Sequence, residues 1–223
     1  MSSKQYFLTG DTHFSHANVV QYCNRPFGKP FELTEEMFAT NDEYYNALRI
    51  HRQAVAAEMN EELIEQWNST VSKHDVVYHV GDIIFDKDAE RRQKVLSQLN
   101  GEIHFIWGNH DWELKTAGWQ KFFKSAADMR TIKLPMPKGG HQRIVLCHYA
   151  MRVWDQSHYG TLQFHGHSHG TLPPAKNQLD VGVDNAYKLL GKYRPFTLEE
   201  AVSFATSYSA NPYNGDCHVD EDK

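Results

Sequence analysis

Trp107-Gly108-Asn109-His110-Asp111 ends an apolar run over residues 103–107 and lines up three polar side chains behind one glycine. The run predicts a buried strand, and Gly108 lets the chain turn sharply where that strand stops. Asn, His and Asp delivered together at the carboxyl end of a strand point to chemistry rather than packing. Ligands of open α/β sheets gather at that end.

The same arrangement recurs in both directions from this stretch. A strand over 6–9 is broken by Gly10 and followed by Asp11-Thr12-His13, and a strand over 76–80 is ended by Gly81-Asp82. Further on, a strand over 143–147 runs into His148, and one over 162–164 runs into His165-Gly166-His167-Ser168-His169-Gly170. In an extended loop, residues two apart face the same side, so Asp11 and His13 are expected to reach one ion together. Five strand ends thus deliver Asp11, His13, Asp82, Asn109, His110, His148, His167 and His169. Further strands are expected over 131–134 and 178–183. A long helix capped by Asn41 or Asp42 carries Tyr44, Leu48, Val55, Met59, Leu63 and Trp67 at helical spacing. Shorter helices are expected over 35–39, over 86–99 with Asn100-Gly101 as its close, and over 198–205.

The composition bounds what this constellation can serve. The 223 residues suit one domain over 1–206, with a lid-like insertion over 24–58 and a polar tail over 207–223. With 28 acidic against 23 basic residues, net −5, the chain lacks the basic excess of a nucleic-acid backbone binder. No stable nucleic-acid complex is expected, although a metal could supply positive charge to a nucleotide substrate. Cys23, Cys147 and Cys217 show no paired spacing, and no apolar run approaches a membrane span. A cytoplasmic protein without membrane attachment is the expectation; the sequence does not fix the oligomeric state.

Asp-x-His at 11–13, Gly-Asp at 81–82, Gly-Asn-His-Asp at 108–111, the strand-end His148 and Gly-His-x-His at 166–169 together resemble the calcineurin-like metallophosphoesterase superfamily. Residues 59–82 and the closing segment 193–200 look like its small phage and bacterial members. The resemblance implies an α/β fold of two facing mixed β-sheets flanked by helices. It also implies two divalent transition-metal ions, one held by Asp11, His13 and His169 and the other by Asn109, His148 and His167, with Asp82 bridging them. A donor set of nitrogen and oxygen suits Mn²⁺, Fe²⁺, Co²⁺, Ni²⁺ or Zn²⁺. By the same resemblance a metal-bridging hydroxide attacks phosphorus in line, and His110 assists the leaving oxygen.

One departure from the family pattern bears on specificity. Some branches place an Asp three residues after the bridging Asp, to orient the catalytic His, followed by a phosphate-binding Arg. Phe85 and Asp86 occupy those positions here. The expected activity is therefore hydrolysis of a small phosphodiester, a cyclic nucleotide or nucleotide-like molecule. The alternatives are a phosphomonoesterase, a nuclease and a non-catalytic scaffold. His16, Asn18, Arg25, Asp111 and His165 are the candidates to touch substrate or to support the ligands, and Asp86 or Asp111 could orient His110.

Overall fold

In the computed structural model, which describes residues 4–28, 32–115 and 118–209, alternate side chains of each central strand go to opposite faces. Phe7 on β1 (Tyr6–Thr9), Val77 on β2 (Val76–His79) and Phe105 on β3 (Glu102–Ile106) pack toward helices. Their neighbours Leu8, Val76, Tyr78 and Ile106 pack toward a second sheet. The first sheet has strand order β4-β3-β2-β1-β9, adding β4 (Ser125–Ala127) and β9 (Phe196–Thr197). β1 to β4 are parallel and β9 is antiparallel to β1. The second sheet runs β5 (Met129–Pro135), β6 (His141–Cys147), β7 (Leu162–His165) and β8 (Gln178–Asp180). Only its β5–β6 pair is antiparallel. Two mixed sheets flanked by helices are thus the expected α/β architecture.

The outer face of the first sheet is covered by α2 (Asn41–Thr70), which is about 45 Å long at the α-helical rise. Its N-cap is Thr40, one residue before the expected Asn41, because Thr40 and Glu43 form a reciprocal capping box. Val55, Ala56, Met59, Leu63 and Trp67 are its buried residues, so only the second half of the helix is anchored in the core. Trp67 buries its ring and still satisfies its indole, which donates to Asn100 O at 2.9 Å. Residues 41–54 bury no side chain, and Tyr45, Leu48, Arg49, Arg52 and Gln53 among them line a groove.

Three differences from the sequence reading have identifiable causes. The strand expected over 178–183 stops at Asp180, whose carboxylate accepts from Gly182 N at 2.8 Å. Val183 then donates to Gly10 O, and α4 (Val183–Leu190) begins. The helix expected over 86–99 shortens to α3 (Ala89–Leu96), because Asp88 caps Glu90 N and Arg91 N. α1 (Ala17–Tyr22), β4 and β9 are too short to carry a readable period. The final helix, α5 (Leu198–Ser207), starts at a second capping box, made by Thr197 and Glu200. Most of the expected tail, 210–223, lies outside the described residues.

Candidate metal centre

The pairing of β1 with β2 does not stop where the strands stop. Asp11 N donates to Gly81 O at 2.9 Å, His13 N to Asp82 O at 3.0 Å, and Phe14 N to Ile83 O at 2.9 Å. This zips the two ligand-bearing loops together residue by residue. The loops are not extended, contrary to the sequence expectation for Asp11 and His13. Asp11 (φ 51°), His13 (φ 47°), Asp82 (φ 56°), His167 (φ 64°) and His169 (φ 49°) all have left-handed backbone. Each such residue costs about 1–3 kcal/mol unless its surroundings hold it, and strain of this kind concentrates at functional sites. The hydrogen bonds between the loops supply that support. From outside, Asn60 on α2 accepts from Ser15 N at 2.7 Å and donates to Ser15 Oγ at 3.1 Å.

The loops bring the predicted ligands into two groups. Ligand atoms of Asp11, His13 and His169 lie within 4.8 Å of one another, as do those of Asp82, His148 and His167. Asp82 Oδ2 stands between the groups, 3.7 Å from His13 Nε2 and 3.4 Å from His148 Nε2. Asn109 Oδ1 joins the second group, 2.9 Å from His148 Nε2.

The donor chemistry fits cations. His148 Nδ1 lies 2.7 Å from Val80 O, a contact that needs its proton there. Nε2 then turns a lone pair toward two further acceptors, Asn109 Oδ1 and Asp82 Oδ2, and a cation satisfies all three. Without one, burial disfavours a charged His148, yet its hydrogen bond with Asp82 and the Asp11 and Asp82 charges raise its pKa. Burial and then the Asp180 charge push Asp11 up to about 8. Burial and then the Arg25 charge hold His13 well below the usual imidazole range, which leaves it a neutral donor. Burial also works against the Asp82 carboxylate, but His148, His13 and the His110 N–H hold its pKa below the ordinary range.

Behind the first group stands a support that the sequence reading missed. Asp184 Oδ2 is 2.6 Å from His169 Nδ1, and Cys23 Sγ is 3.2 Å from the same nitrogen. A carboxylate on one ring nitrogen fixes the tautomer and raises the basicity of the other. Burial opposes a charged His169, but the Asp184 and Cys23 hydrogen bonds and the Asp11 charge raise its pKa to about 10. Asp184 is held in turn by Arg25, whose Nε and Nη2 reach its two oxygens at 2.8 Å each. Asp180 accepts from Ser168 Oγ at 2.6 Å and Gly170 N at 2.7 Å, bracing the His167–His169 loop. The recoverable signal was Asp180-Val181-Gly182-Val183-Asp184, another acid-and-glycine stretch at a strand end.

The remaining predicted residues take distinct places. Arg25 is on the supporting side: its side chain is 0% exposed, and Nη1 and Nη2 also bind Thr12 O and Asp11 O. Asp111 accepts from Asp82 N and Gly108 N at 2.7 Å and from Ile83 N at 3.1 Å, so it braces the Asp82 loop and not the His110 ring. Asp86 is engaged by Arg91. The His110 ring is exposed and lies 5.7 Å from the His13 ring and 5.6 Å, edge-on, from the Phe85 ring. Phe85 also packs on His16 at 4.4 Å, so an aromatic ring borders both histidines at the position where some branches of the resembled family carry an orienting acid. Asn18 lines a groove beside the centre. His165 is buried on β7, its Nδ1 facing Gly166 O at 3.0 Å, outside both ligand groups.

Gly108 is required by close approach. A Cβ built on it lies 2.2 Å from Asp82 Oδ1 and 2.6 Å from Asp82 N. Gly108→Ala is expected to displace Asp82 and lower stability by about 1–3 kcal/mol, as overpacking does. Metal content measured beside the denaturation midpoint should fall with it; a variant that keeps both would remove the steric argument.

Residues 50–181 match the family model described as the calcineurin-like phosphoesterase superfamily domain. An uncharacterized protein of Methanocaldococcus jannaschii, MJ1445, is 39% identical over 112 residues, covering 50% of this chain and 49% of that protein. The chain thus spans about half the length of this relative. The Gene 66 protein of Mycobacterium phage D29 is 26% identical over 155 residues, covering 57% of this chain and 76% of the phage protein. The crystal structure of a protein of unknown function from Aquifex aeolicus, AQ665, superposes with a TM-score of 0.57 at 16% identity. That likeness covers 89% of this chain and 97% of the other, and it shows the fold alone.

Proposed function

The chain belongs to the calcineurin-like phosphoesterase superfamily, and from that membership we propose that it hydrolyses a small, nucleotide-like phosphodiester with a pair of divalent transition-metal ions. The observation that carries the reading is the shared carboxylate. Asp82 Oδ2 lies within 3.7 Å of a ligand nitrogen from each group. Asp11, His13 and His169 would hold one ion and Asn109, His148 and His167 the other, with Asp82 common to both. Such a pair, when bound, polarises the phosphoryl group and lowers the pKa of water.

The protein's own groups do the rest. Asp82 Oδ1 accepts from His110 N at 2.9 Å, which ties the position of His110 to the bridging carboxylate. His110, exposed beside His13, stands where it can meet a leaving oxygen and give it a proton. Phe85 borders its ring edge-on, and Arg25, bound to Asp184, leaves the phosphate to other groups. The diester preference rests on Phe85 and Asp86, which put neither a cation nor an orienting acid at those two positions. Unpaired Cys23 and Cys147 suit a reducing, cytoplasmic setting. Among the described residues no helix is long and apolar enough to cross a membrane.

A hydrolysis screen of aryl mono- and diesters with Mn²⁺, Ni²⁺ and Zn²⁺ tests the proposal. Faster turnover of monoesters would reverse the diester assignment, and no turnover with any metal would leave a binding scaffold. His110→Asn is expected to keep both metals and lower kcat by about 10²–10⁴-fold, the usual contribution of a proton-transfer group. Undiminished turnover at full metal content would remove His110 from the reaction.

A further inference from the structure

A groove of about 650 Å³ opens beside the metal centre, between the unanchored first half of α2 and the 85–91 segment. Arg49 and Arg52 line it from the helix, and Lys87 and Arg91 from the other wall. Asp86 is the one carboxylate in that lining, and Arg91 already holds it, with Nε and Nη2 each 2.9 Å from an Asp86 oxygen. Arg49 makes neutral hydrogen bonds to Asn46 and Gln53. Among the described residues, Arg49, Arg52 and Lys87 have no carboxylate at ion-pair distance. Four cations against one carboxylate is a local excess in a chain of net charge −5.

The groove ends at the chemistry. His16 and Phe85 belong to its lining, the His16 ring is 5.6 Å from the His13 ring, and the Phe85 ring is 5.6 Å from the His110 ring. A molecule with its reacting phosphate at the metals can therefore lay its remainder between the two basic walls. Its volume lies within the roughly 300–1,000 Å³ of small-molecule sites. Resting on the hydrolase reading above, we propose that this groove binds the part of the substrate beyond the reacting phosphate. That part carries at least one further phosphate. The substrate class is then a linear, nucleotide-sized phosphodiester with a second anionic group. A cyclic mononucleotide places its only phosphate at the metals and leaves the basic walls without a partner.

The test compares a dinucleotide with and without a 5′-terminal phosphate, on the full chain loaded with Mn²⁺. The phosphorylated form should show a KM lower by about tenfold or more, as charge-assisted contacts to one phosphate provide. The preference should shrink as salt is raised. R49E/R52E should abolish it and R49Q/R52Q should weaken it; Arg49 and Arg52 are both exposed, so the fold is not at stake. Bis(p-nitrophenyl) phosphate, which carries no second anion, reports on the hydrolase reading alone. Equal KM for the two dinucleotides, with the aryl diester turned over, overturns the groove assignment and leaves the hydrolase standing. If no ester is turned over, the hydrolase reading fails, and calorimetric Kd values then decide the groove: a tenfold preference supports it and equal affinities overturn it. A KM that keeps falling with oligonucleotide length would replace the small molecule by a nucleic acid.

Discussion

Asp82→Asn is expected to lower turnover of an aryl phosphodiester by more than about 100-fold and to reduce the bound metal from two ions toward one or none. Loss of a residue that merely supports a ligand typically costs 10–100-fold, and Asp82 is placed to be a ligand itself. Its Oδ2 lies 3.7 Å from His13 Nε2 and 3.4 Å from His148 Nε2, so among the described residues one oxygen stands at ion-pair distance from a histidine of each group. Asparagine keeps an acceptor for His110 N, now 2.9 Å from Oδ1, so the backbone turn should survive. What disappears is the negative charge that the two proposed ions would share. Metal analysis and turnover on the same preparation, with circular dichroism as a check on folding, separate these effects. Two ions still bound by a well-folded Asp82→Asn protein with undiminished turnover would mean that the shared carboxylate is a coincidence of loop packing.

The residue types at this site were legible because each strand announces its end with a glycine or a polar break. Their conformation was not legible. Left-handed backbone is foreseen at Gly, yet here it falls on Asp11, His13, Asp82, His167 and His169, held by cross-loop hydrogen bonds and by Arg25, Asp111 and Asp180 behind the loops. Strands β1, β2, β3, β6 and β7 were legible as short apolar runs, whereas β4, β9 and α1 are fixed by what they pack against and leave no period of their own. Asp111 illustrates a different gap. Proximity in sequence to His110 made it a natural orienter, but three backbone N–H groups compete for its carboxylate and take it. Hydrogen-bond demand of a buried turn is a tertiary property, and no motif records it.

Asp184→Ala is expected to be the most destabilising of these changes, by about 3–5 kcal/mol, because it leaves the Arg25 guanidinium buried without its counter-charge. The Arg25 side chain is 0% exposed, and both Asp184 oxygens lie at 2.8 Å from its nitrogens. The same carboxylate fixes His169 Nδ1 at 2.6 Å, so the substitution also weakens the first ligand group. These two consequences can be separated. In R25M/D184L the buried charge is gone, and replacing an ion pair by apolar groups is often neutral in stability. Recovery should here be partial, because Arg25 also donates to the carbonyls of Asp11 and Thr12, which would lose their partner. Metal affinity should not recover at all, since His169 still lacks its carboxylate. Denaturant midpoints and metal titrations on wild type, Asp184→Ala and R25M/D184L read the two effects independently. A double variant that regains wild-type metal affinity would show that Asp184 serves the fold through Arg25 alone and does nothing for His169.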